Sequence, residues 1–389
     1  MPVHTFCIQN RNLIMTKLLT VFAAALILAY ISEQNTRATL AAGHRYTLRG
    51  DWAYVLLVIV LTLFAGLRTR YNDTWNYISL YNQLPGLSAF CSNPENFHPL
   101  SNPLFYLILN ILKDITNNSQ VFVFLFSLFT QVCIVRFIKR YSSHFLFSIF
   151  IYFTLGTFCL TLAAIKQIAA MAILTVAFPY LEEKKWVQYY LIVLVAMLMH
   201  TYAIAFAVLP FFTVRPWKLF TYLFALVMVV VLMNFQNVIS AFLDQADELG
   251  KTIAEYEVFD DNSTNIFRIA VYAVTPLLSL IFQKWIFWDR DKTRNVLVHM
   301  SIISLACMSL GTQSGANMFG RMANYFELGT ICCLPMILEQ TFERRSYRLI
   351  SVVACVCFMG FFVYANAINF SFDQEYQAVG LLVFAVSLS

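Results

Sequence analysis

The chain has little charge. Of its 389 residues, 26 are Lys or Arg and 21 are Asp or Glu, 12% together, against about 25% in an ordinary soluble domain. One soluble core of this length would leave its surface coated in oil, and a disordered chain or a coiled coil is excluded by the same scarcity. The cysteine pattern of a stapled secreted domain is also missing. There are nine cysteines and no Cys-x-x-Cys. Cys133, Cys159, Cys307, Cys332, Cys333, Cys355 and Cys357 lie in apolar stretches, where thiols behave as small hydrophobes. Only Cys7 and Cys91 have polar neighbours, so neither a disulfide framework nor a zinc site is expected. No metal and no cofactor is expected.

What is present is apolar. Hydrophobic residues make up 60% of the chain, 37 of them Phe, and the mean hydropathy is +0.67. The class that remains is an all-α, polytopic integral membrane bundle, residues 1–389 forming a single transmembrane domain. The net charge of +5 asks for no nucleic-acid partner, because cytoplasmic loops can carry it.

A hydrocarbon core of about 30 Å needs roughly 20 apolar helical residues per crossing, and the sequence offers about twelve candidate spans. They lie near 18–32, 52–67, 121–137, 145–159, 162–181, 187–200, 202–212, 219–235, 266–287, 296–310, 322–338 and 349–368. The pair 187–200 and 202–212 is short in both members, and the topology holds only if that pair returns to its starting side. One set of short loops carries Arg37, Arg45 and Arg49; Arg136, Lys139 and Arg140; Lys184 and Lys185; Arg215 and Lys218; Arg290, Lys292 and Arg294; and Arg344, Arg345 and Arg348. By the positive-inside rule this face is cytoplasmic. Two longer polar loops, 68–119 and 236–265, then lie outside together with both termini. Lys17, the apolar run after it and Ala41-Ala42 also fit a signal peptide, although the loop assignment needs this helix as a span. Met15 offers a second start.

An ionisable residue inside a bilayer is a functional candidate by default; the competing role is a snorkelling side chain or an internal ion pair. Lys166 and Gln167 stand about a turn inside the outer end of an alanine-rich helix, where the lysine either reaches lipid phosphates or serves a site. His200 ends the short helix before Thr201-Tyr202, as a capping residue or as a general base. Arg321, Asn324 and Tyr325 share one face at helical spacing, and an arginine fork with an amide and a phenol suits a phosphate. Arg268 begins another helix at a similar depth, and Glu327 lies off the Arg321 face.

The richest stretch is Arg68-Thr-Arg70-Tyr-Asn-Asp73-Thr-Trp-Asn-Tyr77-Ile-Ser-Leu-Tyr81. Asp73 is a natural N-cap for a helix that Pro85-Gly86 terminates, with Tyr77 and Tyr81 one turn apart on the side of Asp73. Such a helix is either an interfacial aromatic belt or the lip of a cavity handling sugar and phosphate. In the latter, Arg68 and Arg70 meet phosphate, Asp73 and the phenols meet sugar hydroxyls, and rings stack on pyranose faces.

With these residues in hand, the sequence resembles the EpsG-type, or Wzy-like, polysaccharide polymerases of bacterial inner membranes. The blocks run in the same order: Gly66-Leu-Arg68 with Asp73-Thr74 and Tyr77…Tyr81; Asn102-Pro103-Leu104-Phe105; Ala164-Ile-Lys166-Gln167-Ile-Ala169; His200-Thr-Tyr-Ala203; and Arg321…Tyr325-Phe326. Lys166 stands where the family usually has Arg, and the outer loop lacks the acidic residue often found before its Pro. The resemblance implies a GT-C-like, metal-independent membrane glycosyltransferase. Its active face would be periplasmic, and its substrates undecaprenyl-diphosphate-linked oligosaccharides, with a chain-length regulator and a flippase as possible partners. Under it, Arg68, Lys166 and Arg321 are expected to hold the diphosphate and Asp73 or His200 to orient or deprotonate the acceptor. Gln167, Tyr77 and Tyr325 would shape the pocket; Arg70, Tyr81, Arg268 and Asn324 complete the expected substrate-binding set. The rival classes are a polysaccharide transporter or flippase and an O-antigen-ligase-like transferase. Against a transporter, the sequence has no matching pair of Gly/Pro-broken helices of the kind inverted repeats produce.

Overall fold

A computed structural model describes residues 2–69, 71–235, 237, 265–288, 291–313 and 317–368, with the backbone alone for 2–15, 317, 367 and 368. Among these residues every regular element is helical. The chain divides into two compact units: Met1–Phe178 with Leu191–Thr201 and Cys355–Ser389, and Pro179–Tyr190 with Tyr202–Ala354.

The first unit is built on α1 (Pro2–Ala41), α2 (Trp52–Gly66), α6 (Ser119–Tyr141) and α7 (Phe145–Thr154). α2 packs on both α1 and α6, and α1 also on α7. Their apolar faces meet through aromatic contacts: the Phe22 ring stacks on Phe153 at 4.7 Å and lies 5.7 Å from Phe150. α7 is followed by α8 (Thr157–Ala163) after a bend of 54°. The bend falls at Gly156, whose φ of +96° is left-handed backbone that a side chain would strain. After Ala164 comes α9 (Ile165–Glu182), the helix that carries Lys166 and Gln167.

Polar groups inside this bundle are answered within it, as an apolar interior requires. Gln131 on α6 donates to Thr161 Oγ1 at 2.9 Å and accepts from the Tyr152 hydroxyl at 3.0 Å. At one end, Asp51 caps α2 by accepting from the Tyr54 N–H at 3.3 Å. It also accepts from Ser32 Oγ at 2.6 Å, Tyr46 OH at 2.7 Å and Asn35 Nδ2 at 3.1 Å, with Lys139 Nζ 3.7 Å away. Glu33 pairs nearby with Arg37 and His144. Two of the basic loops assigned to one face by the sequence therefore come together at one end of α1, α2, α6 and α7.

The segment expected as a long outer loop carries the helix expected to end at Pro85-Gly86 and two more. It holds α3 (Thr74–Gln83), α4 (Leu87–Ser92) and α5 (Pro103–Ile115), joined by 3-10 turns at Pro94–Phe97 and Pro99–Ser101. Side chains of α5 hold the start of α4, Asn110 Oδ1 accepting from Gly86 N and Asp114 Oδ2 from Leu87 N, both at 3.2 Å. Tyr81 is fully buried, stacked on Phe122 at 5.2 Å, with its hydroxyl donating to Thr116 O at 2.7 Å. The long loop expected over 236–265 lies outside the described residues except for 237 and 265, as does the apolar tail at 379–387.

In the second unit α14 (Lys292–Leu310) is central, packing on α12 (Ile266–Ile281), α15 (Asn317–Asn324) and α16 (Glu327–Thr341), with α11 (Leu219–Met233) also against it and α13 (Gln283–Ile286) short. Gly329 lets α16 approach α14 closely, because a Cβ there would meet Met300 Cβ at 2.4 Å and Leu297 O at 2.5 Å. His299 Nδ1 faces the Asn295 carbonyl at 2.9 Å and therefore carries the proton, so its Nε2 accepts from the Thr221 hydroxyl at 2.9 Å. α10 (Trp186–Met199) is followed by a 12-residue 3-10 helix, Thr201–Phe212. The Tyr189 and Tyr190 hydroxyls reach Phe206 O and Ala207 O at 2.5 and 3.4 Å, so the chain doubles back on itself here. The last described helix is α17 (Arg344–Ile368).

Among the described residues, five helices are by length and composition able to cross a membrane unaided: Thr16–Ala41, Ser119–Tyr141, Ile165–Glu182, Lys292–Leu310 and Arg344–Asn366; the bent pair α7–α8 makes a sixth where it counts as one span. Five more apolar helices among the described residues have 10–17 residues. At 1.5 Å per residue, such helices fall short of about 30 Å; the expectation of about twelve spans counts them as passes. The 322–338 span is interrupted, since α15 ends at Asn324 and α16 begins at Glu327. Outward surfaces fit a lipid surround: Leu223, Leu226, Val227 and Val230 on α11 and Leu349, Val352, Val353 and Val356 on α17 are all at least half exposed.

The Asp51 network gives a pH signature. Burial works to raise its carboxyl, but the hydrogen bonds from Ser32, Asn35 and Tyr46 outweigh that and hold it below the ordinary carboxylate range. Its stabilisation is therefore present above an ordinary Asp pKa of about 3.9 and is lost as pH falls through the lowered value. Asp51→Asn is expected to cost about 1.5–3 kcal/mol at neutral pH. That cost, read by thermal unfolding in detergent, should shrink below about pH 4; a cost unchanged at acid pH would contradict the account.

Candidate functional site

α2 ends at Gly66, and the chain leaves it through Leu67 into Arg68. Gln120 closes that helix end, its Nε2 donating to Gly66 O at 2.5 Å and Arg68 O at 3.1 Å. The Arg68 side chain is 1% exposed. Its Nε donates to Thr74 Oγ1 at 3.1 Å and its Nη1 to Ser127 Oγ at 3.0 Å, with a further Nη1 bond to the Ala65 carbonyl. Thr74 in turn donates to Leu162 O at 3.2 Å. Leu162 belongs to the last turn of α8, whose carbonyls have no partner within their own helix. One buried guanidinium thus ties α2, α3 and α6 together, and through Thr74 it ties them to the break that precedes Lys166.

Asp73 is exposed at the N-cap position of α3, but its side chain makes no capping bond, contrary to the sequence expectation. The reason is local. Asp73 already has helical backbone (φ −74°, ψ −2°) and the turn has begun upstream, with Thr74 N bonded to Tyr71 O at 2.8 Å. Arg70 lies outside the described residues. Tyr77 is half-buried and meets the Phe105 ring edge-on at 5.8 Å. Tyr81 is buried, and burial raises its hydroxyl to about 12, which keeps it a protonated donor.

Phe105 is the hub of this end of the unit. Lys166 Nζ stands 5.9 Å from the Phe105 ring centre and 6.0 Å from that of Tyr106, at the edge of cation–π range. Lys166 is half-buried and Gln167 nearly fully buried beside it. Asn102, three residues before Phe105, accepts through Oδ1 from Thr201 N at 2.9 Å, which brings His200 to the same loop. Four separated stretches, 68–81, 102–106, 166–167 and 200–201, therefore meet through these contacts in the first unit. Asn102, Phe105 and Tyr106 were not among the expected site residues. Their available signal was Asn-Pro opening an apolar stretch, a helix start, and α5 was not expected as a helix.

The second unit holds the remaining candidates. Arg321 is half-exposed in the last turn of α15, while Asn324 and Tyr325 are buried. The helix stops at Asn324 and Tyr325 lies in the turn beyond, its N–H reaching Met322 O at 3.2 Å; the single helical face expected for the three ends at that turn. Phe326 stacks on Phe206 at 5.4 Å. Glu327 opens α16, where a carboxylate is favoured by the helix dipole, and it accepts from the buried Tyr272 hydroxyl on α12. Arg268, one turn before Tyr272, is exposed. Among the described residues no three His, Cys, Asp or Glu side chains gather as a metal site would need.

Family membership, and not the site geometry, makes this a polysaccharide-polymerase-type membrane protein of the glycosyltransferase kind. A sequence model of the EpsG family matches residues 51–378, and the chain belongs to that family. No curated protein and no solved structure matches it.

Because Arg68 is bonded on three sides, its removal should be felt first as instability. Arg68→Ala is expected to cost about 3 kcal/mol or more by leaving Ser127, Thr74 and the Ala65 carbonyl unanswered. Arg68→Lys keeps the charge without the fork and should fall between. Unfolding midpoints in detergent check both; an Arg68→Ala midpoint equal to wild type would overturn this placement.

Proposed function

We propose that this protein polymerises lipid-linked oligosaccharide repeat units at the outer face of a bacterial inner membrane. It transfers a growing glycan from undecaprenyl diphosphate to the non-reducing end of a second lipid-linked unit. The observation that carries this reading is the meeting of 68–81, 102–106, 166–167 and 200–201 around Phe105. It gathers a cation, a carboxylate-bearing helix, phenols and an imidazole in a family of polymerase type.

In the reaction, the acceptor hydroxyl oxygen forms a bond to the anomeric carbon while the bond from that carbon to the diphosphate breaks. The electron pair leaves with the lipid diphosphate, and the hydroxyl proton passes to a base. Basic side chains stabilise the charge that grows on the leaving group. In the first unit this role falls to Lys166, with Arg68 adding its charge from within the scaffold. His200 or Asp73 orients the acceptor and takes its proton, while Tyr77 and Gln167 line the approach. In the second unit, the role of meeting anionic lipid-linked substrate falls to Arg321, with Arg268, Asn324 and Tyr325 as further candidates.

Purified protein given lipid-linked repeat units should produce a ladder of polymer. A flippase would leave unit length unaltered, and a ligase would move glycan only to a different acceptor. Lys166→Ala and Arg321→Ala are each expected to lower turnover about 100–1000-fold, the scale of one lost stabilising donor, and to shorten the polymer at equal protein level. Unchanged chain length in both variants would overturn the diphosphate assignment while leaving the ladder itself as the measure of polymerase activity.

A further inference from the structure

Asn102 behaves unlike an ordinary helix cap. It occupies the N-cap position of α5 with left-handed backbone, φ 58° and ψ 50°, and its side chain makes no bond to α5. Asparagine in this position normally accepts from the second or third N–H of its own helix. Here the backbone does that work, the Asn102 carbonyl accepting from Phe105 N at 3.1 Å. The amide oxygen is turned away to a segment 99 residues distant, where it accepts from Thr201 N at 2.9 Å. The Thr201 hydroxyl lies 3.2 Å from the same oxygen and 3.1 Å from Leu100 O, its one proton shared between them.

The place of this contact gives it meaning. Thr201 N is the first N–H after the α-helix that His200 ends, where α10 gives way to 3-10 geometry and an N–H would otherwise be left without a helical partner. On the other side of Asn102, Pro103 starts the helix whose Phe105 meets both Tyr77 and Lys166. Asparagine is among the few residues that tolerate left-handed backbone while offering an acceptor.

We propose that Asn102 is a positioning residue, holding His200 in fixed register with the Phe105–Lys166 pair through its bond to Thr201. The inference rests on the polymerase reading above. His200 acts on the acceptor; Asn102 touches no substrate and acts through His200.

The test compares full-length purified Asn102→Gly, Asn102→Asp and Thr201→Val with wild type, on lipid-linked repeat units. Glycine keeps the backbone conformation and loses the acceptor; aspartate keeps an acceptor oxygen at the same reach; valine removes the hydroxyl arm and leaves the N–H. Asn102→Gly should lower kcat about 10–100-fold, the scale of a misplacement near 1 Å, with KM within about twofold of wild type. Asn102→Asp should restore most of that loss and Thr201→Val should lose less than Asn102→Gly. Adding His200→Ala to Asn102→Gly should cost no more than His200→Ala alone, as expected when one residue acts through the other. Unfolding midpoints are measured alongside; should Asn102→Gly fail to fold, a folded Asn102→Asp with kcat more than about tenfold below wild type overturns the proposal. A folded Asn102→Gly with kcat within twofold of wild type overturns it too, as does an Asn102→Asp no better than Asn102→Gly. A wild-type protein that makes no ladder instead overturns the polymerase reading itself.

Discussion

A charge without water must be surrounded, and in the first unit that constraint falls on Arg68. Burying an arginine in an apolar bundle is tolerable only when its donors find oxygen. The oxygens come from three sources, namely Thr74 at the head of α3, Ser127 within α6, and the carbonyl of Ala65 at the end of α2. Satisfying one side chain thereby sets where α3 leaves the bundle. Because Thr74 passes a hydrogen bond on to Leu162, the same constraint reaches the break before α9. Lys166 stands where it does partly because Arg68 had to be answered.

A second arrangement follows from helix ends. Helices that stop inside a protein leave carbonyls and N–H groups in need of partners, and here those needs recruit distant segments. Gln120 closes α2, Thr74 answers α8, Asn102 meets the N–H after α10, and Asn110 and Asp114 hold the start of α4. Each contact joins residues far apart in sequence. The helices that end early are also those that bring the lysine, the histidine and the aromatic rings of one unit into a common neighbourhood, so broken helices and functional placement share one cause.

Much of this was legible in composition and pattern. Scarce charge, abundant Phe and long apolar runs required a helical membrane bundle, and the ordered blocks from Gly66 to Phe326 pointed to the EpsG family, whose model matches residues 51–378. Lys166 was conspicuous as a polar group in an apolar helix, His200 as the end of a short one, and Tyr77 by its helical spacing from Asp73 and Tyr81. Less legible were Arg68 as a scaffold group, since nothing local marks Ser127 as its partner, and α5, whose Asn-Pro start lies in a stretch too short to register as a span. Asp73 read as a cap because its residue type favours caps; the upstream turn at Tyr71 removed the need.

Local rules settle what depends on neighbours within a few residues. Hydrophobicity sums along the chain, so the amino-acid sequence alone determined the class of protein, its long apolar helices and the rarity of buried charge. Which carbonyl an arginine meets, where a helix is cut short, and whether Asn102 serves its own helix or one 99 residues away depend on what the folded chain sets beside them. Those choices belong to tertiary structure, because a buried hydrogen-bonding group is satisfied by geometry in space and not by position along the chain.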